Sequence, residues 1–179
     1  ESVTSLGSNC FNRCSSLTSV TLPSTLTSLQ QGCFYECSSL TSIIIPEGVT
    51  TIGSQCFESC SSLTSITIPE GVTSIGDSCF RYCSSLTSIT LPSTITNLGW
   101  ATFKGCINLT SITLLRAEAP LLNSDTFGNN SANYTGRITY NTGENTLYVP
   151  AGATGYDKGY WLDPLQNAEK CGFTLSATL

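Results

Sequence analysis

Ten cysteines and no histidine define the chemistry open to this 179-residue chain. The missing imidazole removes the commonest general base near neutral pH and the commonest metal ligand. Cys10, Cys33, Cys56 and Cys79 form one column at a spacing of 23 residues; Cys14, Cys37, Cys60, Cys83 and Cys106 form a second, and Cys171 stands apart. Three readings compete. Small buried thiols packing between repeats are favoured, because free cysteine behaves as a small hydrophobe. Disulfides come second: Thr102 replaces the first column while Cys106 keeps the second, which tells against an obligatory pair in each repeat. Metal or redox chemistry comes last, since a repeated C-x3-C lacks both the C-x2-C spacing of zinc knuckles and a varied second pair of ligands.

The carboxylates offer one further chemistry. Glu47 and Glu70 hold the same place in successive repeats. Stacking would set them about 5 Å apart, close to the carboxyl separation of retaining glycosidases. A neighbouring Pro and Gly already explain both as turn residues, so a glycoside hydrolase is only the lesser alternative. No cofactor is expected. The net charge of −5 and the scatter of Arg13, Arg81, Lys104, Arg116, Arg137, Lys158 and Lys170 speak against nucleic acid. No apolar run approaches the roughly 18 residues of a membrane span. The chain opens on Glu1 without a leader and reads as a soluble fragment or processed form, expected to be a monomer.

The elements that position these residues follow from the repeat. Leu17, Leu40, Leu63, Leu86 and Leu109 recur every 23 residues, followed by columns at Val20, Ile43, Ile66, Ile89 and Ile112 and at Leu22, Ile45, Ile68, Leu91 and Leu114. Pro23, Pro46, Pro69 and Pro92 come next, and Phe11, Phe34, Phe57, Phe80 and Phe103 close each unit. The stretch Ser65-Ile66-Thr67-Ile68 alternates polar and apolar residues, which predicts a short strand with one buried face; Pro69 should end it. The stretch Asp77 to Cys83 has apolar residues one turn apart behind a capping Asp, which predicts one or two helical turns. A single coil cannot bury its own apolar residues, so coils must stack. Charge at Ile66 or Phe57 should be among the worst substitutions.

These columns resemble the BspA-like leucine-rich repeat family, also called the Treponema pallidum type, whose members read L-x-x-I-x-I-P-x-x-V-x-x-I-G-x-x-A-F-x-x-C. The match runs over residues 3 to 114, with Cys in place of the usual Ala before Phe. The resemblance and the repeat together imply an α/β solenoid, a leucine-rich repeat right-handed coil with a parallel sheet on one face and short helical turns on the other. Residues 1–114 form the solenoid and 115–179 an irregular final coil and cap of the same domain, Phe127 falling one place late for its column. The segment Thr146 to Gly152 is similar to the closing strand of such proteins from gut Bacteroidetes.

What the resemblance implies for function is a noncatalytic module, secreted or on the cell surface, that binds a protein or a glycan in adhesion or host interaction. It carries no catalytic residue onto this chain. Two places are candidates for binding. One is the outward face of the strands, with Ser42, Ser65, Thr67, Ser88, Thr90, Ser111 and Thr113, beside Ile44. The other is an aromatic patch of Trp100, Tyr148, Tyr156, Tyr160 and Trp161, for which packing of the cap is the competing reading. A spacer displaying another domain is the remaining alternative.

Overall fold

The computed structural model describes residues 3–117, 120–122, 126, 145–149 and 173–177. Its strands are β1 (Ser28–Leu29), β2 (Thr51–Ile52), β3 (Ser65–Thr67), β4 (Ser74–Ile75), β5 (Ser88–Leu91), β6 (Asn97–Leu98), β7 (Ser111–Leu114), β8 (Leu121–Leu122), β9 (Asn145–Val149) and β10 (Phe173–Ala177). They build two parallel sheets, one ordered β1-β2-β4-β6-β8 and the other β3-β5-β7-β9-β10. Most rungs join residues one repeat apart, as in Ile66↔Ile89 and Ile75↔Leu98.

The architecture is a right-handed parallel β-solenoid, and the expected helical turns are absent from the described residues. A second sheet, β1-β2-β4-β6-β8, follows the proline turn in each coil. The segment from Asp77 to Cys83 is a run of turns. Alternate N–H groups stay inside the coil, from Arg81 to the carbonyl of Ser78 at 3.1 Å and from Cys83 to that of Phe80 at 3.1 Å. Those between them donate to the next coil: Ser78 to Trp100 at 2.7 Å, Phe80 to Thr102 at 2.9 Å and Tyr82 to Lys104 at 2.8 Å.

An α-helix would direct every N–H to the carbonyl four residues back and leave none for a neighbour. Left-handed residues make the alternation, Ser78 at φ 55° and Tyr82 at φ 60°, and the same two places recur as Gln55 and Ser59 in the coil before. A side chain in that conformation costs roughly 1–2 kcal/mol, offset here by backbone groups that would otherwise be buried without partners. Asp77 was expected to cap its own helix; its carboxylate instead accepts the N–H of Trp100, one coil on, at 2.7 Å.

Between the sheets and turns the apolar columns become ladders. Phe34, Phe57, Phe80 and Phe103 are fully buried, and from Phe11 onward the rings stack at centroid distances of 5.2, 5.4, 5.5 and 5.7 Å, nearly parallel. Glycine sets the closeness of the coils at one corner: a Cβ on Gly76 would lie 2.4 Å from the backbone nitrogen of Ser54.

Beyond Leu114 the ladders continue with longer offsets. β8 pairs with β6 as Asn97↔Leu121, one residue more than the regular repeat. Thr126 therefore takes the column of Cys79 and Thr102, its hydroxyl donating to the carbonyl of Gly99 at 3.2 Å as that of Thr102 does to Gly76 at 3.5 Å. That inserted residue is why Phe127 reads one place late. β9 then pairs with β7 as Thr113↔Tyr148, and β10 with β9.

Candidate functional site

The strand residues singled out from sequence share one side of the coils. Ser42, Ser65, Thr67, Ser88 and Thr90 are exposed, while Ser111 and Thr113 are half-buried. The buried partners Ile43, Ile66 and Ile89 point the other way, as alternation requires. Ile44, bridged to Thr67, is 85% exposed at the β3 edge of this uncharged surface.

The aromatic patch is not assembled by the described residues. Trp100 is partly exposed on a turn, with the Lys104 ammonium 5.6 Å from its ring centre. Tyr148 has a backbone place in β9 opposite Thr113. Tyr156, Tyr160 and Trp161 lie outside the described residues, as does Cys171.

The two cysteine columns line the interior. Cys33, Cys37, Cys56, Cys60, Cys79, Cys83 and Cys106 are buried free thiols, whereas Cys10 and Cys14 of the first described coil are exposed. The second column has a specific partner: Cys37, Cys60, Cys83 and Cys106 direct their Sγ at the carbonyls of Phe11, Phe34, Phe57 and Phe80 at 3.0 to 3.1 Å. A weak S–H donor thus adds to the coil-to-coil bonding. Burial raises these thiols, Cys33 and Cys37 to about 11 and Cys60 and Cys106 to about 12, so at neutral pH they are poor nucleophiles and poor metal ligands. No cluster of His, Cys, Asp or Glu able to hold a metal is found among the described residues.

Glu70 is engaged in structure. Its carboxylate accepts from the N–H of Ser93 at 3.1 Å and from the Ser93 hydroxyl at 2.7 Å, tying one corner turn to the next. Glu58 is also engaged: nearly buried, it accepts from the Gln55 amide at 3.0 Å and pairs with Arg81 at 3.4 Å.

Sequence reasoning missed a second exposed feature. An open groove of about 830 Å³ crosses the turn side of the coils. Its floor is the serine column Ser15, Ser38, Ser61 and Ser84, which ends at Ile107. Its wall is the left-handed column that holds Arg13, Glu36, Ser59, Tyr82 and Gly105 in successive coils. Arg13 and Glu36 pair at 3.0 Å. The signal available in the sequence is that this column, like others of the turn segment, changes residue at every repeat while the apolar columns do not.

Six copies of a BspA type leucine-rich repeat region match residues 2–133 of the chain. The chain belongs to this BspA-type family. Among solved structures, a Treponema pallidum leucine-rich repeat protein is similar at a TM-score of 0.62 and 23% identity, with 98% of this chain and 81% of that one covered. A leucine-rich repeat protein from Bacteroides ovatus and a leucine rich cell surface protein from Faecalibacterium prausnitzii also match, each at a TM-score of 0.39, with 19% and 24% identity. They cover 83% and 84% of this chain, which spans 60% of each of them. No curated protein is significantly similar. The likeness to the Treponema pallidum protein is one of fold alone. The family model reaches beyond residue 114, in accord with the one-residue insertion that carries the repeat on to β8. The chain is thus a BspA-type leucine-rich repeat scaffold.

Proposed function

We propose that this chain is a surface-displayed or secreted adhesion module that binds a protein partner through the Ser/Thr face of β3, β5 and β7. Family membership supports a surface or secreted setting. The observation that carries the reading is the face itself. It is uncharged, presents short hydroxyl side chains along β3, β5 and β7, and leaves Ile44 in water where the next two coils place Thr67 and Thr90. Solenoids present long binding faces of this kind, and partner surfaces that exclude charge from their centre suit them.

The test is binding of labelled protein to an array of purified extracellular host proteins. A Thr67→Lys, Thr90→Lys double variant should keep its melting temperature within a few degrees and lose at least tenfold in affinity for whatever protein the wild type binds. An empty array, or a partner held equally well by the variant, would overturn the assignment.

A further inference from the structure

Cys10 differs from the rest of its column in one respect. Cys33, Cys56 and Cys79 are buried, whereas Cys10 is exposed. The column places Cys33 directly behind it, and the backbone fixes that juxtaposition on both sides. The N–H of Asn9 donates to Gln31 at 2.9 Å, and that of Phe11 to Cys33 itself at 2.8 Å. The adjoining rings of Phe11 and Phe34 stack at 5.2 Å, a coil spacing within the roughly 4.4–6.8 Å between Cα atoms that a disulfide spans. Burial raises the Cys33 thiol to about 11, with the neighbouring Cys10 thiol as the next cause.

An accessible thiol with a second thiol in reach is the arrangement of a redox-active pair. Deeper pairs in the column share the spacing but not the access. A disulfide also needs its Cβ atoms at roughly 3.5–4.5 Å, closer than this stacking sets them, so one coil must shift. The coil of Cys10 has that freedom: Leu6, Phe11, Leu17, Val20 and Leu22 are only partly buried there, while their counterparts in the next coil are buried. Cys14 is exposed as well, but the thiol behind it, Cys37, is committed to the carbonyl of Phe11 at 3.0 Å.

We propose that Cys10 and Cys33 are a redox-active pair: a small disulfide such as glutathione disulfide modifies Cys10, and Cys33 resolves the adduct into a bond that staples the first described coil to the second.

The Cys10 thiolate attacks one sulfur of glutathione disulfide, breaking its S–S bond and releasing one glutathione thiolate. Cys33 then gives its proton to solvent and attacks the Cys10 sulfur, and the second glutathione leaves. The protein loses two hydrogens and the two electrons that reduce glutathione disulfide to two thiols. Cys33 is a poor nucleophile toward solutes, but here the step is intramolecular.

Incubation of the reduced protein with glutathione disulfide at pH 8.5, followed by mass spectrometry and peptide mapping, tests the pair. A Cys14→Ser background removes the other exposed thiol of the coil. There the chain should become lighter by two hydrogens, with Cys10 joined to Cys33. Adding Cys33→Thr, on the pattern of the buried Thr102 in the same column, should halt the reaction at the glutathione adduct on Cys10. The staple should slow hydrogen exchange at the N–H groups of Asn9, Phe11 and Arg13, which donate to the second coil, at least tenfold. A glutathione adduct that persists while Cys33 is present would overturn the proposal. So would Cys10 joined to any other cysteine, including Cys10 of a second copy.

Discussion

Burial of Cys33, Cys37, Cys60 and Cys106 carries their thiols to about 11 or 12, while the same groups in an unfolded chain ionise near 8.5. Above pH 9 the unfolded state has given up protons that the folded state still holds, so stability falls as pH rises. Below pH 8 the effect is absent. Each thiol contributes a slope of up to about 1.4 kcal/mol per pH unit between pH 9 and its folded value. Urea unfolding at pH 7, 9 and 10.5 should therefore show a stability that is flat at first and then drops by several kcal/mol. A curve flat to pH 10.5 would contradict the buried, protonated columns. A simpler check is reactivity: of the nine described thiols, only Cys10 and Cys14 should react rapidly with a thiol reagent in the native protein. Rapid labelling of Cys56 or Cys79, located by peptide mapping, would count against the packing.

The element on which everything else depends is the coil, and its tightest point is the corner at Gly53, Gly76 and Gly99. A Cβ at Gly76 meets backbone atoms of Ser54 and Gly53 at 2.4 and 2.8 Å, and backbone cannot step aside as a side chain can. Gly76→Ala should cost about 2–3 kcal/mol in chemical denaturation, in line with overpacking elsewhere. Ser59→Gly should do the opposite and stabilise by up to about 1 kcal/mol, because Ser59 sits at φ 62° where glycine is unstrained.

Legibility divides at this scale. The strand at Ser65 to Thr67 could be read because alternation reports burial directly, and the cysteine columns could be read as packing because they share the spacing of the leucines. The turn from Asp77 to Cys83 was misread because apolar residues four apart suit a helix and a stacked turn equally. What separates the two is where the N–H groups go, and their acceptors belong to a coil 22 residues away. The serine groove was missed for a related reason. Ser38, Ser61 and Ser84 look like filler between Cys and Leu until stacking aligns them beside Tyr82.

For the molecule as a whole, the consequence is a rod of nearly identical layers whose stability is shared between neighbours. Phe57→Asp would place a carboxylate between Phe34 and Phe80, whose rings lie 5.4 and 5.5 Å from that of Phe57. Loss of the cooperative melt is expected, and a variant with near-normal stability would mean that the ladder is not the core. Such a rod suits display. Its rigid layers hold the Ser/Thr face and the groove at fixed spacing, four residues apart along each coil from Ser61 to Ser65 and from Ser84 to Ser88.

The central claim, that layers are joined by backbone bonds between coils where helical turns were expected, can be tested at one carbonyl. In the stacked arrangement Cys79 accepts the N–H of Phe57 at 2.9 Å, and Cys83 donates to Phe80 at 3.1 Å. A helix would instead direct the N–H of Cys83 to Cys79. Scalar coupling through the hydrogen bond, measured by NMR, should connect the Phe57 nitrogen to the Cys79 carbonyl carbon; coupling from Cys83 to that carbon, with none from Phe57, would contradict the account.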